Sequence, residues 1–161
     1  MKILSGRELR EAKKAMALAV HAGLESTCRR SRCGSVIING GVVLGEGFNS
    51  PPRNLESQRR CSRLKEDLHA KVTDRTCCVH AEQRAMMAAL RDYGKDAGGA
   101  VIYFARLGDN GRIKKSGEPY CTICSKMALD IGIDRFVLWQ ERGVCSYSCE
   151  EYNQLSYEYK G

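Results

Sequence analysis

The first third of the chain alternates between two hydrophobic periods. Leu9, Ala12, Met16, Ala19, Val20 and Gly23 recur at three- and four-residue spacing, which predicts an amphipathic helix over about residues 6–25. Ser5 and Glu8 stand three apart at its start, the relation of a capping box. Cys28 to Cys33 is basic and turn-prone. Ser35-Val-Ile-Ile-Asn39 and Val42-Val-Leu44 then flank Gly40-Gly41 and read as a β-hairpin with an Asn-Gly turn. Residues 49–79 break the pattern: Asn49-Ser50-Pro51-Pro52 is a stop signal, and few apolar positions follow as far as Thr76. An apolar stripe of Ala81, Ala85, Ala88 and Ala89, with Met86 and Leu90 beside it, predicts a helix from His80 to Tyr93, closed by Gly94. Ala100 to Phe104 reads as a buried strand, Leu107 to Glu118 as a polar loop and Cys121 to Ile131 as a helix. Phe136 to Trp139 is another strand, and Ser148 opens a last helix. The order α-β-β-α-β-α-β-α predicts an α/β sandwich with a mixed β-sheet, a hairpin followed by strand–helix–strand units. One domain over 1–161 is expected, with an insertion at about 50–78.

Composition narrows this to a soluble globular chain. Of 161 residues, 43% are hydrophobic and 28% charged, and no apolar run approaches the roughly 20 residues of a membrane span. Met1 to Gly6 has no apolar stretch of the kind a secretory signal needs, so a cytoplasmic location is expected. Nine cysteines in a reducing compartment point to metal binding or chemistry rather than disulfides. Thirty residues separate Asn49 from His80, and structureless loops beyond about 12–15 residues are uncommon unless functional. Something must hold this segment; Cys61, His69, Cys77 and Cys78 are the candidates.

The sharpest chemistry is Cys78-Val79-His80-Ala81-Glu82 together with Pro119-Tyr120-Cys121-Thr122-Ile123-Cys124. His80 starts one predicted helix and the C-x-x-C starts the next. Helix N-termini favour thiolates. One imidazole and two thiolates leave a fourth tetrahedral position open, as in a catalytic zinc site. Glu82, two residues past His80, can face a metal-bound water without ligating the metal. Each fragment alone is weak, since a lone C-x-x-C also suits redox chemistry or half a zinc ribbon. Together, H-x-E, a strand and P-(x)-C-x-x-C form the arrangement of zinc deaminases of nucleobases.

On these residues the chain resembles the cytidine/deoxycytidylate deaminase superfamily, in its dCMP deaminase-like branch, from about Cys28 to Val137. Gly34-Ser-Val-Ile37, Gly47-Phe-Asn49 and Ser125-Lys-Met127 leading into Gly132-Ile133 are similar to further elements of that family. Tyr120 departs from it by separating Pro119 from Cys121, and the chain reads as lacking the family's last strand, ending in a Tyr-rich helix. The resemblance implies a three-layer α/β/α sandwich of the cytidine deaminase type. It implies a catalytic zinc on His80, Cys121 and Cys124, with Glu82 moving the proton as water attacks C4 of a cytosine ring. The Ala81 N–H is implied to hold the base carbonyl and Asn49 to touch base or sugar. A second, structural zinc is implied in the insertion, on Cys28, Cys61, His69 and Cys78, with Cys77 as the substitute for either of the last two.

The formal charge of +7 adds the question of partner. Arg29, Arg30, Arg32, Arg53, Arg59, Arg60 and Arg63 flank the expected mouth and suit a nucleotide phosphate, though RNA or single-stranded DNA would take the same patch. The long insertion favours a nucleotide, dCMP first, over adenosine in tRNA, with a modified pyrimidine or pterin-like ring as further options. A non-catalytic zinc-stabilised nucleic-acid-binding module is the reading from another class, and Glu82 is the residue it does not need. The resemblance also implies a homo-oligomer and effectors such as dCTP or dTTP.

Overall fold

The computed structural model describes residues 1–72, 74–94 and 97–161. Its elements are β1 (Lys2–Ile3), α1 (Gly6–Leu24), β2 (Arg32–Asn39), β3 (Val42–Phe48), α2 (Ala81–Tyr93) and β4 (Val101–Leu107). They continue through β5 (Ile113–Lys114), α3 (Thr122–Asp130), β6 (Arg135–Gln140), β7 (Gly143–Ser148) and α4 (Cys149–Glu158). The strands form one mixed sheet in the order β1-β7-β6-β4-β2-β3, with β5 paired to β4; β4 and β6 run parallel and the other pairs antiparallel.

Strand side chains alternate between two cores. Val36, Val101 and Val137 turn to Ala12, Met16 and Ala19 of α1. Ile37, Ile102, Phe136 and Leu138 turn to Ala85, Met86 and Ala89 of α2, Cys124 and Ala128 of α3, and Tyr152 of α4. The result is the expected α/β/α sandwich. Two glycines set how close its layers come. A Cβ on Gly34 would lie 1.9 Å from the Ala19 carbonyl oxygen, and one on Gly47 would lie 2.3 Å from that of Ala81. Backbone-to-backbone packing of this kind pins α2, and with it His80, against β3.

Four local expectations change. Ser5 caps α1 with its backbone only, and Glu8 accepts instead from Lys2 Nζ at 2.7 Å, so no capping box closes. The hairpin corner is Gly40-Gly41, both at positive φ (54° and 83°), while Asn39 remains in the strand opposite Val42. The expected loop 107–118 contains β5. The last strand, expected to be missing, is present as β7, antiparallel to β6 along its length.

The expected insertion, of which residue 73 lies outside the described residues, carries only short 3-10 turns at Pro52–Asn54 and Glu56–Gln58. Leu55, Leu64 and Val72 are exposed, so apolar burial does not hold it. None of the described helices is long and apolar enough to cross a membrane.

Candidate active site

His80 is the N-cap of α2, with its own N–H held by Gln83 Oε1 at 2.9 Å; Cys121 is the N-cap of α3, and Cys124 lies in that helix's first turn. The two helix starts meet on one side of the sheet. His80 Nδ1 lies 3.3 Å from both the Cys121 and the Cys124 Sγ, and the Cys124 N–H donates to the Cys121 sulfur at 3.4 Å. The hydrogen bond from Cys124 drives the Cys121 thiol down to about 4 against the opposing effect of burial, with His80 adding to it, while Cys124 moves up as the proton-holding partner. Hydrogen bonding to Cys121 raises His80 to about 9 against burial. One imidazole and two thiols, with all ligand atoms within 4.8 Å of one another, fit zinc in donor type and spacing.

Glu82 sits in the first turn of α2 and is 7% exposed; burial raises its carboxyl above the usual range, with His80 pulling the other way. It lines a cavity of about 430 Å³ together with His80, Cys121 and the first residue of α2, Ala81. The N–H groups of a first helical turn have no partner within the helix, so Ala81 offers a donor here. Asn49 also lines the cavity, but its amide is largely engaged: Oδ1 accepts from Ser26 Oγ at 2.6 Å and Cys33 N–H at 2.8 Å, and Nδ2 donates to the Ser31 carbonyl at 2.8 Å. Asn49 therefore ties the end of β3 to the start of β2 and shapes the wall.

A second thiol group borders the same cavity. Cys61, Cys77 and Cys78 lie within 4.8 Å of one another, Cys61 and Cys77 at 3.4 Å; Cys28 is outside that close group but lines the same cavity. Interaction between the Cys28 and Cys78 thiols lowers Cys28 to about 5 and raises Cys78. At Cys61, hydrogen bonds from Cys77 and Arg59 outweigh burial and lower the thiol. The Arg60 N–H points at the Cys77 sulfur at 2.9 Å. His69 is not in this group. It is exposed, with Nδ1 accepting from the Lys71 N–H at 3.1 Å, and Cys77 takes the place expected of it. The Ser50–Val79 bridge draws Cys77 and Cys78 in together, which favours the neighbour over a histidine farther back in the loop.

Of the arginines expected at the mouth, Arg30 lines the cavity while donating to the Cys61 and Arg63 carbonyls. Arg29 and Arg59 pair with Glu56 and Arg60 binds backbone carbonyls within the insertion, which they brace, and Arg32 binds the Leu24 carbonyl at the end of α1. Trp139 packs towards α1, and Tyr147 is buried with its hydroxyl on Gln140 at 2.6 Å, so neither faces the cavity. Sequence reasoning missed Cys33, Phe104, Arg106 and the tilted pair Tyr120–Tyr159, with ring centroids 5.6 Å apart, all on the cavity wall.

A family model described as the cytidine and deoxycytidylate deaminase zinc-binding region matches residues 9–140. The chain belongs to that family. As a member of this zinc-binding family it takes zinc as its metal, in agreement with the His80, Cys121 and Cys124 donor set. The chain is 30% identical over 132 residues to the deoxycytidylate deaminase of Mycobacterium phage D29, covering 78% of this chain and 91% of that protein. It is 31% identical to the deoxycytidylate deaminase of Saccharomyces cerevisiae over 78% of this chain, spanning 36% of the yeast protein. The dCMP deaminase of cyanophage S-TIM5, solved in complex with dCMP and dUMP, shares the fold: its TM-score is 0.51 at 19% identity, over 83% of this chain and 82% of that one.

Proposed function

We propose that the chain is a zinc-dependent deaminase that converts dCMP to dUMP with release of ammonia. The observation that carries this is the buried Glu82 carboxyl opening into the same cavity as the His80, Cys121 and Cys124 group. The D29 relative, named a deoxycytidylate deaminase, and the dCMP and dUMP held by the S-TIM5 enzyme support dCMP as substrate.

Zinc on His80, Cys121 and Cys124 supplies the Lewis acidity that makes a water nucleophilic near neutral pH. Glu82 accepts one proton from the attacking water and passes it to ring N3, then takes the second from the new C4 hydroxyl and gives it to N4 as the C4–N4 bond breaks, leaving a C4 carbonyl and ammonia. A carboxyl raised by burial suits a group that must both take and give a proton. The Ala81 N–H holds the base carbonyl, and Asn49 fixes the adjacent wall.

The Cys28, Cys61, Cys77 and Cys78 group is read as a closed structural zinc site ordering residues 49–79, in the absence of an apolar core there. Nine unpaired cysteines suit a reducing compartment such as the cytoplasm. The reading carries a homo-oligomer, checked by sedimentation, and a response to dCTP or dTTP, checked by adding each at fixed dCMP.

The test is ammonia release across cytosine, its nucleosides, its mono- to triphosphates and adenosine in tRNA. The fastest release is expected from dCMP. Activity confined to adenosine in tRNA, or none on any cytosine compound, overturns the reading.

A further inference from the structure

On β4, Ile102, Phe104 and Arg106 occupy alternate positions and therefore share a face, the one that turns to the helices carrying the site. Two are apolar and the third is an arginine, which lines the cavity. Among the described residues its only hydrogen-bond partner is Ser31 Oγ, which takes Nε at 3.0 Å; no carboxylate pairs with it. Its cross-strand partner on β5 is Lys114. Like charges opposite each other in a ladder repel unless an anion lies between them.

The two acids of the cavity wall do not fill that role. Glu118 is paired with Arg142 and accepts from Gln140, and Glu82 is the proton carrier. Ser116, just past β5, lines the same cavity, and its buried Oγ has no hydrogen-bond partner among the described residues. A guanidinium with its terminal nitrogens uncommitted and an orphan hydroxyl on the same hairpin leave strong donors facing one space.

We infer that Arg106, with Ser116 beside it, binds the 5′-phosphate of the substrate and is the residue that selects a nucleotide over a nucleoside. This rests on the deaminase reading above and assigns to the β4–β5 hairpin the role expected of the arginines at residues 29–63. The guanidinium fork takes two phosphate oxygens, and Ser116 Oγ–H donates to a third.

The experiment compares kcat/KM for dCMP and deoxycytidine in the wild type, Arg106→Gln, Arg106→Lys and Ser116→Ala, and the affinity of each for dUMP and deoxyuridine. Loss of a charge-assisted pair is expected to lower kcat/KM for dCMP by roughly tenfold to a hundredfold in Arg106→Gln, with deoxycytidine within about twofold. Arg106→Lys recovers part of the loss. Ser116→Ala loses several-fold on dCMP alone. The affinity for dUMP falls in parallel and that for deoxyuridine holds, which also shows that the variants are folded. A wild type active on dCMP whose Arg106→Gln variant keeps its dCMP-to-deoxycytidine ratio and its dUMP affinity overturns this inference alone. A wild type that releases no ammonia from dCMP overturns the function and this inference with it.

Discussion

The proton-carrying role proposed for Glu82 needs a buried carboxyl, and burial has a stability cost. Its carboxyl is raised because the charged form is desolvated, so in the metal-free protein protonation favours the fold and that contribution is lost as pH rises through the raised value. Glutamine has the same shape and no charge. Glu82→Gln should therefore keep its zinc, melt at or above the wild-type temperature at neutral pH, and lose turnover by several orders of magnitude, because the other carboxyl on the cavity wall, Glu118, is paired with Arg142. Metal analysis, thermal melting and ammonia release on one preparation check all three. Near-wild-type turnover would remove Glu82 from the chemistry.

Helix and strand placement carried most of what could be read without coordinates, because α1, α2 and β4 have clean periods and α4 has a serine that caps as expected, accepting from the Glu151 N–H at 3.1 Å. The motif residues were legible for the same reason: His80 and Cys121 cap helices whose starts the sequence marks. β7 was not legible, since Gly143-Val-Cys-Ser-Tyr-Ser148 buries Ser146 as well as apolar residues and shows no alternation. Arg106 was missed although its period-two relation to Ile102 and Phe104 was there to be counted. What no pattern reveals is the close approach of α2 to β3. A methyl on Gly45 would lie 2.2 Å from the Ala85 carbonyl oxygen and one on Gly47 2.3 Å from that of Ala81, both backbone atoms that cannot rotate away. Gly47→Ala should cost about 1–3 kcal/mol and push out the start of α2, moving His80 and Glu82 off the C-x-x-C pair. Thermal melting and kcat for dCMP should both fall; an unchanged kcat with a lower melting temperature would mean that α2 repacks without moving the site.

At the scale of the whole molecule, the insertion and the catalytic centre share a wall. Cys28, Cys61, Cys77 and Cys78 line the cavity that also holds His80, Glu82 and Cys121, so what orders residues 49–79 also shapes the substrate space. Arg30 reaches across to the Cys61 and Arg63 carbonyls and Arg59 to the Thr27 carbonyl, but such exposed, charged bracing contributes little by itself, and the segment's apolar side chains face outward. On the proposed reading, metal held by these thiols takes the place of a core in folding this region. Two zinc ions per chain are therefore expected in the purified protein. A Cys61→Ser/Cys77→Ser variant should retain one, become readily cut by protease between residues 49 and 79, and show a raised KM for dCMP as the wall loosens. The sheet and the His80 centre do not depend on that loop's ligands, so the retained zinc should stay with His80, Cys121 and Cys124. One zinc per chain in the wild type would remove the second site, and a double variant with two zinc ions and an intact insertion would place the second metal on other residues.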